Sequence, residues 1–174
     1  MDISRKTDYA LRMLAMLAED PECLLSVRTA AEEVNVPYSF ARSIQHGLVQ
    51  AGIVESLRGA HGGMRLKVSP DDVTIRQVVE AVQGPMVMND CTAPDGDCAR
   101  MGMCCYHPLW AGAQALMRDY LDSVSLGDIV AHRQFPAVDP KFADRDAFPE
   151  YAACACVCQE KYCLLYTSPS PRDA

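Results

Sequence analysis

Four cysteines fall close together in this 174-residue chain: Cys91, Cys98, Cys104 and Cys105, with His107 just beyond them. Six residues separate Cys91 from Cys98, and five separate Cys98 from Cys104. Thiolates are soft ligands suited to iron-sulfur clusters or zinc, and an irregular loop lets them converge without opposing a helix or strand. Structural zinc sites favour paired, short-spaced knuckles, which three evenly spaced cysteines do not form, so the spacing favours a cluster. The plainer reading is a set of unliganded thiols in a loop. A redox enzyme built on Cys104 and Cys105 is disfavoured, because adjacent cysteines rarely make a useful couple and no nucleophile-base set or phosphate loop accompanies them.

The neighbouring segments must position that loop. Residues 85–106 lack periodicity and mix Pro, Gly and Asp with the cysteines, which predicts irregular structure. Upstream, Tyr9, Leu11, Met13, Leu14, Met16 and Leu17 recur in helical rhythm up to Pro21, predicting a first helix over about residues 4–19. Ser26 is a suitable N-cap for a short helix from Val27 to Val34. Pro37 suits the first turn of a third helix, which carries Phe40, Ile44, Leu48 and Val49 to a stop at Gly52. Two short helices joined by Asn35 and Val36 make a helix-turn-helix candidate. Residues 53–57 and 64–68 then read as strands around a glycine-rich link, a two-stranded wing. Thr74 caps a helix bearing Ile75, Val78, Val79 and Val82 that stops at Gly84, where the core is expected to close.

Beyond the cysteines, a long amphipathic helix is predicted from Pro108 to Val124, with Leu109, Trp110, Ala113, Leu116, Met117, Tyr120 and Leu121 at three-and-four spacing. That stripe is wide enough to meet a partner helix, and Ser125 caps one more short helix through Ile129 and Val130. The predicted fold class is mainly α with a small β-hairpin: a winged helix-turn-helix plus a long C-terminal dimerisation helix. The expected divisions are a DNA-binding domain over 1–84, a cluster-binding loop over 85–106, a dimerisation helix and short following helix over 107–132, and an irregular tail over 133–162. Residues 163–174 fit the conceptual translation of a transposase-type sequencing adapter from Cys163 to Asp173, so they are expected to be library read-through.

The formal charge of −7 is unevenly placed. Residues 1–70 carry eight Lys/Arg against eight Asp/Glu, leaving all the net acidity to the remainder. Between Pro37 and Val68, Arg42, Arg58, Arg65 and Lys67 face Glu55 alone, a local basic face that suits phosphate. No stretch approaches the ~20 apolar residues that span a bilayer, and no apolar signal core follows Met1 to Lys6. Nine cysteines without such a signal imply reduced thiols, a cytoplasmic location and no membrane partner. Cys154, Cys156 and Cys158 alternate in the tail and receive no role, and Cys23 reads as a small buried hydrophobe.

Four blocks carry a resemblance: Lys6-Thr-Asp-Tyr-Ala-Leu-Arg-Met13, the wing Arg58-Gly-Ala-His-Gly-Gly-Met-Arg-Leu66, the three-cysteine loop, and Ser125-Leu-Gly-Asp-Ile-Val130. In this order, over residues 1 to about 132, the chain resembles the Rrf-type family of winged-helix transcription regulators, whose members include regulators of iron-sulfur assembly and sensors of nitric oxide. The resemblance implies a homodimer joined through the helix from Pro108, and an iron-sulfur cluster, two-iron or four-iron, on Cys91, Cys98 and Cys104. It leaves the fourth ligand open. His107 resembles the histidine of the assembly regulators, Asp8 resembles the carboxylate that the nitric-oxide sensors supply from the partner subunit, and Cys105 is a third candidate by proximity. A weak oxygen ligand would leave one iron open to a diatomic gas, which favours Asp8. Each has a bland reading too: Asp8 would favour the positive end of its helix, and His107 could cap the next.

The same resemblance implies an operator in double-stranded DNA. The third helix would present Ser39, Arg42, Ser43, Gln45 and His46 to the major groove, with Arg42 suited to a bidentate contact with guanine. The wing would lay Arg58, His61 and Arg65 against the minor groove and phosphates. The function expected is that of a cluster-dependent repressor responding to nitric oxide, redox state or iron-sulfur status. The competing expectation is a cluster-free regulator of the same fold, controlled by zinc, thiol chemistry or a protein partner.

Overall fold

Three short polar side chains start helices in the way their chemistry allows. The Ser26 hydroxyl accepts from the Thr29 amide, while Thr74 with Gln77 and Ser125 with Asp128 form reciprocal capping boxes. In this computed structural model, which describes residues 3–20, 22, 24–59, 62–133, 135 and 136, six helices and one hairpin follow in order. They are α1 (Arg5–Glu19), α2 (Val27–Glu33), α3 (Tyr38–Gln50), β1 (Val54–Leu57), β2 (Gly63–Leu66), α4 (Ile75–Gln83), α5 (His107–Asp122) and α6 (Leu126–Val130). Single 3-10 turns lie at Pro70–Asp72, Asp90–Thr92 and Met101–Met103.

The turn between α2 and α3 is short because Asn35 adopts a left-handed conformation, φ 54°, which asparagine tolerates better than most residues. Pro37 stands at the N-cap rather than inside the first turn, and its carbonyl accepts from the Phe40 and Ala41 amides. At the other end of α3 the Gly52 amide bonds Val49 O and the Ile53 amide bonds Leu48 O, with Gly52 at φ 74°. This is the Schellman closure that glycine favours, and it delivers the buried Ile53 to the core before β1 begins.

The hairpin is antiparallel with Val54 opposite Leu66 and Glu55 opposite Arg65. Met64 and Leu66 turn inward, and a bridge between Leu25 and Met64 ties the wing to the segment ahead of α2. The main core gathers Met13, Leu14 and Leu17 of α1, Ile44 and Leu48 of α3, and Val78 and Val82 of α4. It also takes in Leu126 of α6, fully buried, so the core does not close at Gly84 as the periodicity suggested. The chain returns because Ile75 N bonds Val124 O and Leu126 N bonds Val73 O, an alignment of distant backbone that no local pattern announces.

The helix α5 rests on α4 through Met117 and Leu121, which pack on Ile75, Val79, Met86 and Val124. Arg76 of α4 strengthens that contact by donating to Asp122 of α5 at 2.6 Å, while Glu80 on its own helix holds the guanidinium at 2.7 Å. The long apolar stripe is therefore divided. Its inward part meets α4, while Leu109 and Leu116 stay 59 % and 60 % exposed and Tyr120 lies beside them. No helix among the described residues is long and apolar enough to cross a membrane.

Candidate metal centre and nucleic-acid interface

The face of α3 opposite the core is polar and open. Ala41, Ile44 and Leu48 are buried, whereas Ser39, Arg42, Ser43 and His46, at helical spacing, are exposed. Gln45 is different: it is half-buried, and its amide donates to Ser56 Oγ on β1 at 3.2 Å. That bond links the helix to the wing and occupies a group assigned to base reading. On the wing, Arg58 is exposed beyond β1, and His61 lies outside the described residues. Arg65 is held across the hairpin by Glu55, with Nε 2.5 Å from Oε1, and this hydrogen bond to the carboxylate raises the pKa of the guanidinium above its ordinary value. The structure adds a cation that pattern reading missed. The short turn sets the Arg28 guanidinium, on the first turn of α2, 5.2 Å from the ring centroid of Tyr38 at the start of α3. Neither residue stands out alone, because their meeting depends on the angle between two helices.

The cysteine loop is pinned before it reaches its first thiol. The α1 end is fixed to α4, since Gln83 Oε1 accepts from Ser4 N at 3.0 Å and from Thr7 Oγ1 at 2.7 Å. After Gly84 the chain buries Met86, and Asn89 and Thr92 then cap the turn that holds Cys91. Three i to i+3 backbone bonds follow in series, from Met101 N to Cys98 O, Cys104 N to Met101 O and His107 N to Cys104 O. Cys91, Cys98 and Cys104 are half-buried free thiols, and Cys105 is exposed.

Cys91 and His107 line one open groove of about 570 Å3, together with Thr92, Gln114, Arg76 and Arg118. The Nδ1 of His107 is buried and has no hydrogen-bond partner among the described residues. Tyr106 occupies the cap position of α5, with no side-chain capping bond, so His107 does not serve as that cap. An unpartnered buried imidazole nitrogen, on a residue that shares a groove with a cysteine, has the donor chemistry of a metal or cluster site. Among the described residues, no three His, Cys, Asp or Glu side chains are gathered closely enough to hold a metal ion. Ligand sets of this kind often assemble only with the metal, because bringing several thiolates together without a cation is electrostatically unfavourable. The donor types present, thiolate and imidazole, are ones that a cluster takes, but the described residues do not gather them into one site. Asp8 is exposed in the first turn of α1, where its charge suits the helix dipole.

A helix-turn-helix with an exposed polar and basic second helix, followed by a two-stranded wing, defines a DNA-binding regulator of the winged-helix class. Residues 3–132 match the Rrf2 family, described as iron-dependent transcriptional regulators, and the chain belongs to that family. It is 27 % identical over 142 residues to the HTH-type transcriptional regulator IscR of Aliivibrio salmonicida, covering 81 % of this chain and 84 % of that one. It is 33 % identical over 133 residues to the HTH-type transcriptional repressor NsrR of Streptomyces coelicolor, covering 75 % of this chain and 89 % of that one. Its fold is similar to that of CymR (YrzC), the global cysteine regulator of B. subtilis, with a TM-score of 0.59 and 27 % identity, over 77 % of this chain and 99 % of that one. The family and these relatives are transcriptional regulators, not enzymes.

Proposed function

We propose that this regulator is a cytoplasmic homodimer whose DNA binding is set by an iron-sulfur cluster held on Cys91, Cys98 and Cys104. The observation that carries the reading is the buried, unpartnered Nδ1 of His107, a residue that lines the same groove as Cys91. It supports His107 as the fourth ligand within the chain, against the alternative of Asp8 from a second copy. A bound cluster would supply a redox-active and nitric-oxide-reactive centre. The thiols of residues 85–106 would draw the loop together against α5, and α5 would hold a second copy through Leu109, Leu116 and Tyr120. Spacing between the two α3 helices and their wings would then follow the state of the loop. Residues 1–84 form the DNA-reading part in this scheme, and residues 107–132 the dimerising part. The proposed adapter segment and Cys154, Cys156 and Cys158 lie outside the described residues.

The test is the visible absorption and iron content of the full chain purified without oxygen, before and after nitric oxide. A brown protein that bleaches supports the cluster and the gas response. A brown protein indifferent to the gas points to iron or cluster supply as the signal. A colourless chain whose DNA binding survives replacement of all three cysteines overturns the cluster and establishes the cluster-free regulator, a reading favoured by the ungathered thiols. The ligand choice is decided by His107→Ala and Asp8→Ala: His107→Ala is expected to lower iron content, while Asp8→Ala leaves it near wild type.

A further inference from the structure

Gln114 is the one buried polar residue of α5, only 8 % exposed, and its amide is spent on a segment more than twenty residues away. Its Oε1 accepts from the Met88 amide at 2.9 Å and from Thr92 Oγ1 at 2.7 Å, and its Nε2 donates to Thr92 O at 3.0 Å. The two anchored residues bracket Cys91, and the Thr92 backbone amide donates to Asn89 O at 2.8 Å, which closes the turn around the thiol. Gln114 shares the groove with His107, two helical turns away on the same face of α5. The exposed Leu109 and Leu116 stand on another side of that helix.

An amide suits this position for a chemical reason. It offers an acceptor to two donors and a donor to a carbonyl, so every group it meets is satisfied. A glutamate would keep the acceptor but set a second acceptor against Thr92 O. A methionine of similar length would leave Met88 N and Thr92 O without their bonds.

We propose that Gln114 is a positioning residue that couples the cysteine loop to α5, holding the Cys91 turn at the groove that His107 also lines and passing the ligand state of the loop to the dimer helix. This rests on the cluster reading and names the element through which that reading acts. Three measurements on the full chain test it, using wild type, Gln114→Met and Gln114→Glu. In the apoprotein, amide exchange at Met88 is expected to accelerate about tenfold in Gln114→Met, as for the loss of one buried hydrogen bond, and to change little in Gln114→Glu, which keeps the acceptor. After anaerobic reconstitution, the visible circular dichroism of the cluster is expected to alter and iron to leave faster to a chelator in Gln114→Met. The ratio of DNA affinities between loaded and iron-free protein is expected to fall toward one in Gln114→Met and to lie between the extremes in Gln114→Glu. Thermal melting of the apoproteins identifies any variant that has not folded, and Gln114→Glu then carries the comparison. A brown wild type whose folded variants keep both its spectrum and its affinity ratio overturns the role of Gln114 alone. A wild type that takes up no iron overturns the cluster reading, and this inference falls with it.

Discussion

Arg65 and Glu55 show how a residue assigned to DNA can be committed elsewhere. Their side chains are directly opposite in the hairpin and joined through Arg65 Nε at 2.5 Å, so a carboxylate competes with phosphate for this guanidinium. Both are more than a third exposed, and solvent-exposed ion pairs of that kind contribute little. Glu55→Gln is therefore expected to tighten operator binding by a factor of up to about five, by freeing Arg65 and removing a negative charge from the interface. Fluorescence anisotropy across a salt series reads this directly. Unchanged affinity in Glu55→Gln, together with an Arg65→Ala variant that keeps the wild-type salt slope, would take Arg65 out of the interface.

At the level of elements, α3 reaches its place by a close approach. A Cβ on Gly47 would stand 2.6 Å from the carbonyl oxygen of Ala81 on α4, so backbone would have to move. Gly47→Ala is expected to cost about 1–3 kcal/mol in urea denaturation, as overpacking does, and to weaken DNA binding by tilting the reading helix. The short α6 depends on its cap in a pH-dependent way. The Asp128 carboxylate accepts from the backbone and then the hydroxyl of Ser125, with Arg133 alongside, and these hold its pKa below the ordinary carboxylate range. Since the folded value is the lower one, the stabilisation is complete above the unfolded value of about 4 and disappears as pH falls through the folded value. Melting curves should show Asp128→Asn less stable than wild type at pH 6, with the gap closing in strong acid. A gap independent of pH would assign the loss to something other than the charge.

For the molecule as a whole, the divided stripe of α5 is the feature on which the proposed dimer rests. About 24 Å of helix presents Leu109, Leu116 and Tyr120 to solvent while Met117 and Leu121 hold it to α4. Leu116→Glu is expected to leave the fold intact and to yield a monomer in sedimentation velocity, because a charge on the paired face cannot be buried without cost. Affinity for a two-half-site operator should then fall about 100-fold or more, as linked binding is lost. A dimer that survives Leu116→Glu would place the contact elsewhere. The charge division along the chain is consistent with this arrangement: the basic stretch from Pro37 to Val68 sits on the reading elements, and the acidity lies beyond them.

Much of this was legible in the chain itself, because local physics decides local structure. Ser26, Thr74 and Ser125 announce helix starts through their own side chains, Gly52 announces a stop through its backbone, and the alternation through Met64 and Leu66 announces a wing. The thiols and His107 raise metal or cluster chemistry by element type alone, and the described residues leave them ungathered. What tertiary structure decided is which groups meet. Gln45 turns to Ser56, Arg65 to Glu55, Arg28 to Tyr38, Leu126 joins a core that periodicity had closed at Gly84, and Gln114 leaves the solvent for Thr92. None of these follows from spacing, because each depends on the relative placement of elements that the chain joins only through intervening turns. Polar side chains settle where a partner of opposite hydrogen-bonding sense is already fixed, and only the folded backbone fixes it.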